Sequence, residues 1–194
     1  MSTNLSKTKL FTFLSLISIV FITGCGKIGS AKKALKARTS VERKKTVKAP
    51  SFKLSDETGT IHTLADYAGK KLVLFFYPKD ESPTCTAQAC SIRDDFKMYE
   101  DHGIVILGIS ADSVKSHKKF KEHHHLPFPL LSDENGKVAK KYGAKGSVLG
   151  FFGYAQRKTY LINEQGELVK VIDDVNVANQ GQDILAGFAA TIKE

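Results

Sequence analysis

Residues 71 to 90 read KLVLFFYPKDESPTCTAQAC, and the first seven of them, KLVLFFY, decide the fold. An unbroken apolar run rich in Val, Leu and aromatic residues is the pattern of a strand covered on both faces, as in a sheet with helices on either side. Pro78 ends that run. From residue 84 to 101 the apolar residues Ala89, Ile92, Phe96 and Tyr99 recur at three- and four-residue spacing, which predicts a helix with Ser82 or Thr84 at its start. Two of the three cysteines in the chain, Cys85 and Cys90, fall at this junction.

Outward from the junction the alternation continues. GIVILGIS (103–110) is a second strand of the buried type, followed by a helix over SVKSHKKFKEHHH (113–125) and a short extended FPLL. A helix around GKVAKKYG comes next, and then the strands KTYLIN and GELVKVI, joined by the turn EQG. A last helix over 177–193 carries Ile184, Leu185, Phe188 and Ile192 along one face. Strands alternating with helices and ending in a hairpin and a helix predict an α/β fold with a mixed central β-sheet sandwiched by helices.

Residues 51–194 form the expected domain, about 145 residues, enough for a core that needs no disulfide staple. The net charge of +9 is unevenly spread: residues 1–50 hold eleven Lys or Arg against Glu42 alone, and residues 51–194 hold 18 basic and 19 acidic side chains. A neutral domain argues against nucleic acid as a partner. Residues 1–24 read as an export signal, with Lys7 and Lys9 before the apolar run LFTFLSLISIVFI. At ~1.5 Å per residue that run reaches only ~20 Å, short of a bilayer core of ~30 Å. Ile22-Thr23-Gly24-Cys25 resembles the bacterial lipobox, which makes Cys25 a lipidated N-terminus and the protein a lipoprotein of the cell envelope; an ordinary cleaved signal or an organellar transit peptide is the alternative. Residues 25–50 read as a basic flexible tether, whose charge either holds it to anionic head groups at ~1 kcal/mol per Lys or Arg or merely keeps it solvated.

The pattern Pro78-x-x-x-Ser82-x-x-Cys85 resembles the active-site signature of the peroxiredoxins, and Cys90 narrows the resemblance to the peroxiredoxin Q or bacterioferritin-comigratory-protein type. The likeness runs from about residue 50 through LSDENGKVAKKYG to RKTYLIN, where Arg157 matches the family's active-site arginine, and on to residue 192. It implies a thioredoxin-like fold and a cofactor-free thiol peroxidase that reduces hydrogen peroxide and organic hydroperoxides to water and alcohols. In that scheme Cys85 is the peroxidatic residue, Cys90 resolves its sulfenic acid as a Cys85–Cys90 disulfide, and thioredoxin or a thioredoxin-like protein restores the dithiol. Relatives of this type are often monomers. Two departures stand out: Thr84 replaces a common glycine, and VLGFFGYA (148–155) is unusually apolar for a segment bordering the site, as a rim for lipid hydroperoxides or a dimer contact would be.

The residue types suit that chemistry. A free thiol is only ~3% thiolate at pH 7, and the thiolate is the nucleophile, so the site must favour the anion. The first turn of a helix offers unpaired N–H groups, and an arginine offers a permanent charge. Ser82 Oγ, the Cys85 N–H and Arg157 are the expected donors to a bound peroxide, with Pro78 shaping the loop and shielding the sulfur. Residues five apart on an ideal helix have Cα atoms ~8.6 Å apart, beyond the ~6.8 Å reach of a disulfide, so the helix start must unwind for the bond to form. Other readings of the pair are inert or statically bridged thiols, a copper-handling module using HHH (123–125) with the two thiols, and a general disulfide oxidoreductase. The copper-delivery proteins space their cysteines Cys-x-x-x-Cys and the oxidoreductases Cys-x-x-Cys, whereas here four residues intervene. The three histidines are expected to form the solvated end of a helix, with no metal bound.

Overall fold

The computed structural model describes residues 47–146 and 154–190. The expected signal segment, Cys25, nearly all of the expected tether and most of the apolar stretch 148–155 lie outside the described residues.

Among the described residues, eight strands form one sheet: β1 (Val47–Lys48), β2 (Lys53–Ser55), β3 (Ile61–Thr63), β4 (Lys71–Phe76), β5 (Ile104–Ser110), β6 (Leu130–Ser132), β7 (Lys158–Ile162) and β8 (Glu167–Ile172), in the order β1-β8-β7-β4-β5-β6-β2-β3. The helices are α1 (Pro83–Asp94), α2 (Phe96–Asp101), α3 (Val114–His124), α4 (Lys137–Tyr142) and α5 (Gln180–Ala189). Strand β4 pairs in parallel with β5 and antiparallel with β7, so the sheet is mixed, as expected.

The apolar run KLVLFFY sits in the middle of this sheet, and from Leu72 onward it is buried throughout. Alternate residues point to opposite faces. Val73, Phe75 and Tyr77 join a core with Ala89, Ile92, Tyr99, Phe120 and Ile184 from the helices, and Leu72, Leu74 and Phe76 join a second core with Val138, Tyr142 and Tyr160. One residue of β5 must stay small: a Cβ on Gly108 would stand 2.7 Å from both Leu130 Cδ2 and Phe75 Cζ.

Three expectations need correction. The helix expected over 84–101 is two helices, broken at Asp95, whose backbone (φ −90, ψ 2) leaves the helical region. The apolar spacing runs across the break in phase, which is why the sequence hides it; the turn lets Phe96 pack against Phe128 at 6.2 Å while Tyr99 enters the core. The last helix starts at Gln180 rather than 177. Residues 47–49, expected to lie in the tether, belong to the sheet instead: Val47–Lys48 pairs with Leu168 and Glu167, and the Ala49 N–H donates to the Gly166 carbonyl at 3.0 Å.

Candidate active site

Strand β4 delivers the chain to the site, and a knot of buried polar groups fixes the loop between Tyr77 and α1. The Asp80 carboxylate accepts from Tyr77 Oη at 2.8 Å and Ser116 Oγ at 2.7 Å, and lies 2.9 Å from His117 Nδ1. Its backbone N–H donates to Asp112 Oδ2 at 2.9 Å, and Asp112 in turn accepts from Ser110 Oγ at 2.7 Å. Asp80 and His117 are both buried. Burial, and then the Asp80 charge, push the Tyr77 hydroxyl well above its ordinary pKa, so it remains a donor. Beyond Asp80 the chain takes a left-handed step at Glu81 (φ 58) and enters α1. Pro83 opens that helix, where its fixed φ and missing N–H cost nothing.

Ser82 holds the cap position, but its side chain does not cap; Oγ donates back to the Lys79 carbonyl at 3.0 Å and so braces the loop. Pro78 is half-buried at the end of β4. Cys85, in the first turn of α1, is 1% exposed. Arg157 precedes β7, and the pairing of Phe76 with Lys158 carries it to the end of β4 where the loop begins. Its Nη2 lies 3.2 Å from Cys85 Sγ. Guanidinium and sulfur, 72 residues apart in sequence, are thus in direct contact, a geometry suited to holding an anion on that sulfur.

Arg157 is itself oriented by residues the sequence reading missed. Its Nη1 donates to Gln88 Oε1; Gln88 Nε2 donates to Gln180 Oε1 at 2.9 Å; Gln180 Nε2 donates to Thr159 Oγ1 at 2.9 Å. All three partners are buried. Each amide can satisfy its neighbours in only one orientation, so the relay fixes which face Gln88 turns to the arginine. The only sequence signal is that Gln88 stands one turn beyond Cys85, on the helix face that also carries Ala89 and Ile92.

Cys90 is half-buried on the same helix, and both thiols are free. Helix α1 runs unbroken through the two positions, so the spacing argument stands: ~8.6 Å between Cα atoms is too far for a disulfide. The histidines depart from expectation. His123 and His124 end α3 and His125 caps it in a left-handed conformation, but His124 is largely covered and both its ring and that of His123 reach Glu81. Among the described residues, the group of possible metal-binding side chains drawn together is Glu81, His123 and His124, and it includes neither Cys85 nor Cys90. The copper reading built on two thiols and a histidine therefore finds no support.

A buried thiol at a helix start, beside a mixed sheet covered on both faces, sets the molecule among thioredoxin-fold proteins. The solved peroxidoxin BcpB of Mycobacterium tuberculosis superposes with a TM-score of 0.70 at 33% identity, covering 75% of this chain and 96% of the other. Peroxiredoxin Bcp of Bacillus subtilis is 39% identical over 151 residues, 76% of this chain and 93% of the relative. Chloroplastic peroxiredoxin Q of Triticum aestivum is 43% identical over 117 residues, 60% of this chain, which spans about half of that relative (53%). The AhpC/TSA family profile matches residues 46–171, and the chain belongs to that family.

Proposed function

We propose that this AhpC/TSA-family protein is a thiol peroxidase acting through Cys85 and Cys90. The observation that carries the reading is the Arg157 guanidinium 3.2 Å from a buried Cys85 sulfur in the first turn of α1. The Cys85 thiolate attacks one oxygen of the peroxide; an S–O bond forms, the O–O bond breaks, and the departing oxygen leaves as water or alcohol after taking a proton. Cys85 is oxidised to a sulfenic acid and the peroxide is reduced. Arg157 and the helix-start N–H groups stabilise the charge developing on the departing oxygen. The helix start then opens, the Cys90 thiolate attacks the sulfenic sulfur, the S–O bond breaks, the hydroxide leaves as water after taking a proton, and a disulfide joins the two. A dithiol protein of the thioredoxin type reduces that bond with two electrons. Hydrogen peroxide and organic hydroperoxides both suit a site whose chemistry engages only the O–O bond.

Both thiols stand on one helix, so a single chain suffices for the cycle and a monomer is the expected working form. The lipobox-like segment supports an envelope lipoprotein anchored at Cys25 through the basic tether, served by an extracytoplasmic reductant; lipid labelling that persists in Cys25→Ser overturns the anchor. For the chemistry, thioredoxin-coupled peroxide consumption by the full-length chain is abolished in Cys85→Ser. In Cys90→Ser it is lost with thioredoxin and restored by a small dithiol. Turnover surviving Cys85→Ser refutes the mechanism.

A further inference from the structure

The structure assigns a second site: we propose that Glu81, His123 and His124 bind one divalent transition-metal ion of the zinc class, and that the bound ion clamps the start of α1. Glu81 Oε1 lies 3.1 Å from His123 Nδ1 and Oε2 lies 3.0 Å from His124 Nε2. The three donor atoms fall within 4.8 Å of one another. A tetrahedral zinc ion with bonds of about 2.0–2.1 Å has donors about 3.3 Å apart, so one imidazole–carboxylate edge is already near that length; the two contacts use different carboxylate oxygens, and the remaining edges, within 4.8 Å, close by side-chain rotation. Two imidazoles and a carboxylate form a donor set that zinc accepts, and the exposure of His123 and Glu81 leaves room for a solvent ligand in the fourth position.

Neighbouring residues on a helix point ~100° apart and do not ordinarily share a ligand. Here they converge because His123 uses the nitrogen nearest its backbone and His124 the one farthest from it, with ring centroids 4.3 Å apart. His124 is also held rigidly. Its ring stands edge-on to the buried Phe120 at 5.1 Å, and its carbonyl accepts from Arg93 Nη1 at 2.8 Å. Without an ion, each imidazole N–H hydrogen-bonds the carboxylate; with one, each ring carries its proton on the other nitrogen and presents a lone pair to the metal.

The placement gives the ion a consequence. Glu81 lies just ahead of α1 and Arg93 lies near its end, and both are fastened to His124, so the segment holding Cys85 and Cys90 is bracketed by one residue of α3. Replacing two hydrogen bonds at Glu81 with coordination bonds tightens the first bracket and opposes opening of the helix start. Only the regulatory meaning of that clamp, slower disulfide formation, rests on the peroxidase reading.

The test uses the untagged full-length chain with Cys25, Cys85 and Cys90 all changed to Ser, so that neither thiols nor turnover enter. Calorimetric titration with Zn²⁺ is expected to give one ion per chain, with affinity at least tenfold weaker in Glu81→Gln, lost in His123→Asn/His124→Asn and kept in His125→Asn. Hydrogen exchange of the amides of residues 84–90 is expected to slow at least fivefold with Zn²⁺, and not at all in the double histidine variant. No binding, or binding that survives that variant, overturns the site. Binding without slower exchange overturns the clamp.

Discussion

Replacing Gln180 with leucine tests whether the buried relay positions Arg157. Gln180 supplies the acceptor for Gln88 Nε2 and the donor to Thr159 Oγ1, each at 2.9 Å and each sealed from solvent. Leucine fills the space and supplies neither. Stranding the buried Gln88 amide donor costs about 1–3 kcal/mol, which is the expected loss of stability in urea. The Thr159 hydroxyl can rotate to another partner and adds little. To recover an acceptor, the Gln88 amide must turn, and turning withdraws Oε1 from Arg157 Nη1. Losing a donor to a developing oxyanion costs about 2.7–4 kcal/mol. Arg157 still touches Cys85 through Nη2, so about half of that is expected, a 10- to 30-fold slower reaction of Cys85 with peroxide. The chain has no tryptophan, so the assay is rapid-quench alkylation of Cys85 followed by mass spectrometry rather than indole fluorescence. Its peroxide-concentration dependence gives the second-order rate constant. Adding Gln180→Leu to Arg157→Lys should slow oxidation little beyond Arg157→Lys alone, because the relay then has no guanidinium to orient. A folded Gln180→Leu protein that oxidises within twofold of wild type refutes the positioning role and leaves the relay a purely structural device.

Three further outcomes are expected. Arg157→Met slows Cys85 oxidation by about 100- to 1000-fold in the same assay, because it removes both the cation and the donor. Gly108→Ala destabilises by about 1–3 kcal/mol in urea unfolding, since its Cβ meets Phe75 and Leu130 at 2.7 Å in a filled core. For Asp56, burial favours the neutral acid, but hydrogen bonds from Thr58, His62 and Thr60 prevail and hold the carboxyl below its usual range. Its folded value is thus depressed, so the stability it contributes is present above its unfolded pKa of ~3.9 and is lost as pH falls through the native value. The gap between wild type and Asp56→Asn, expected at about 1–2 kcal/mol at pH 6, should narrow in urea titrations as pH falls below the unfolded value and through the lower native one.

The central sheet was legible because burial on both faces leaves its mark directly in the composition of residues 71–77 and 103–110. Cys85 was legible because chemistry and helix start coincide in one short segment. Arg157 was reached through family resemblance alone; an arginine between two loops says nothing by itself, and only the antiparallel pairing of β4 and β7 brings it to the sulfur. Gln88 and Gln180 escaped because a lone glutamine in a helix reads as solvated surface, and their burial is decided by the packing of α1 against α5. Asp80 escaped for the same reason, as KDES looks like an exposed turn until the sheet end and α3 close over it. The two-residue strand β1 carries no periodicity to detect. The histidines were read as a solvated end because nothing local announces that Glu81, some forty residues earlier, lies beneath them.

The knot of bonds around Asp80 divides the loop into a fixed mould and a removable casting. Tyr77, Asp80 and Asp112 belong to the mould, tied to β4, β5 and α3, whereas under the proposed cycle the helix start between Thr84 and Ser91 opens for the disulfide to form. The mould stays set while the casting is out, so re-arming after reduction is local helix growth onto a ready surface, a matter of about 0.1–1 μs for a short segment. Encounter with a protein reductant at about 10 μM, at ~10⁶ M⁻¹s⁻¹, takes about 0.1 s. About five to six orders of magnitude separate the two, so under the proposed cycle the supply of reductant, rather than recovery of the pocket, sets how often this molecule can fire.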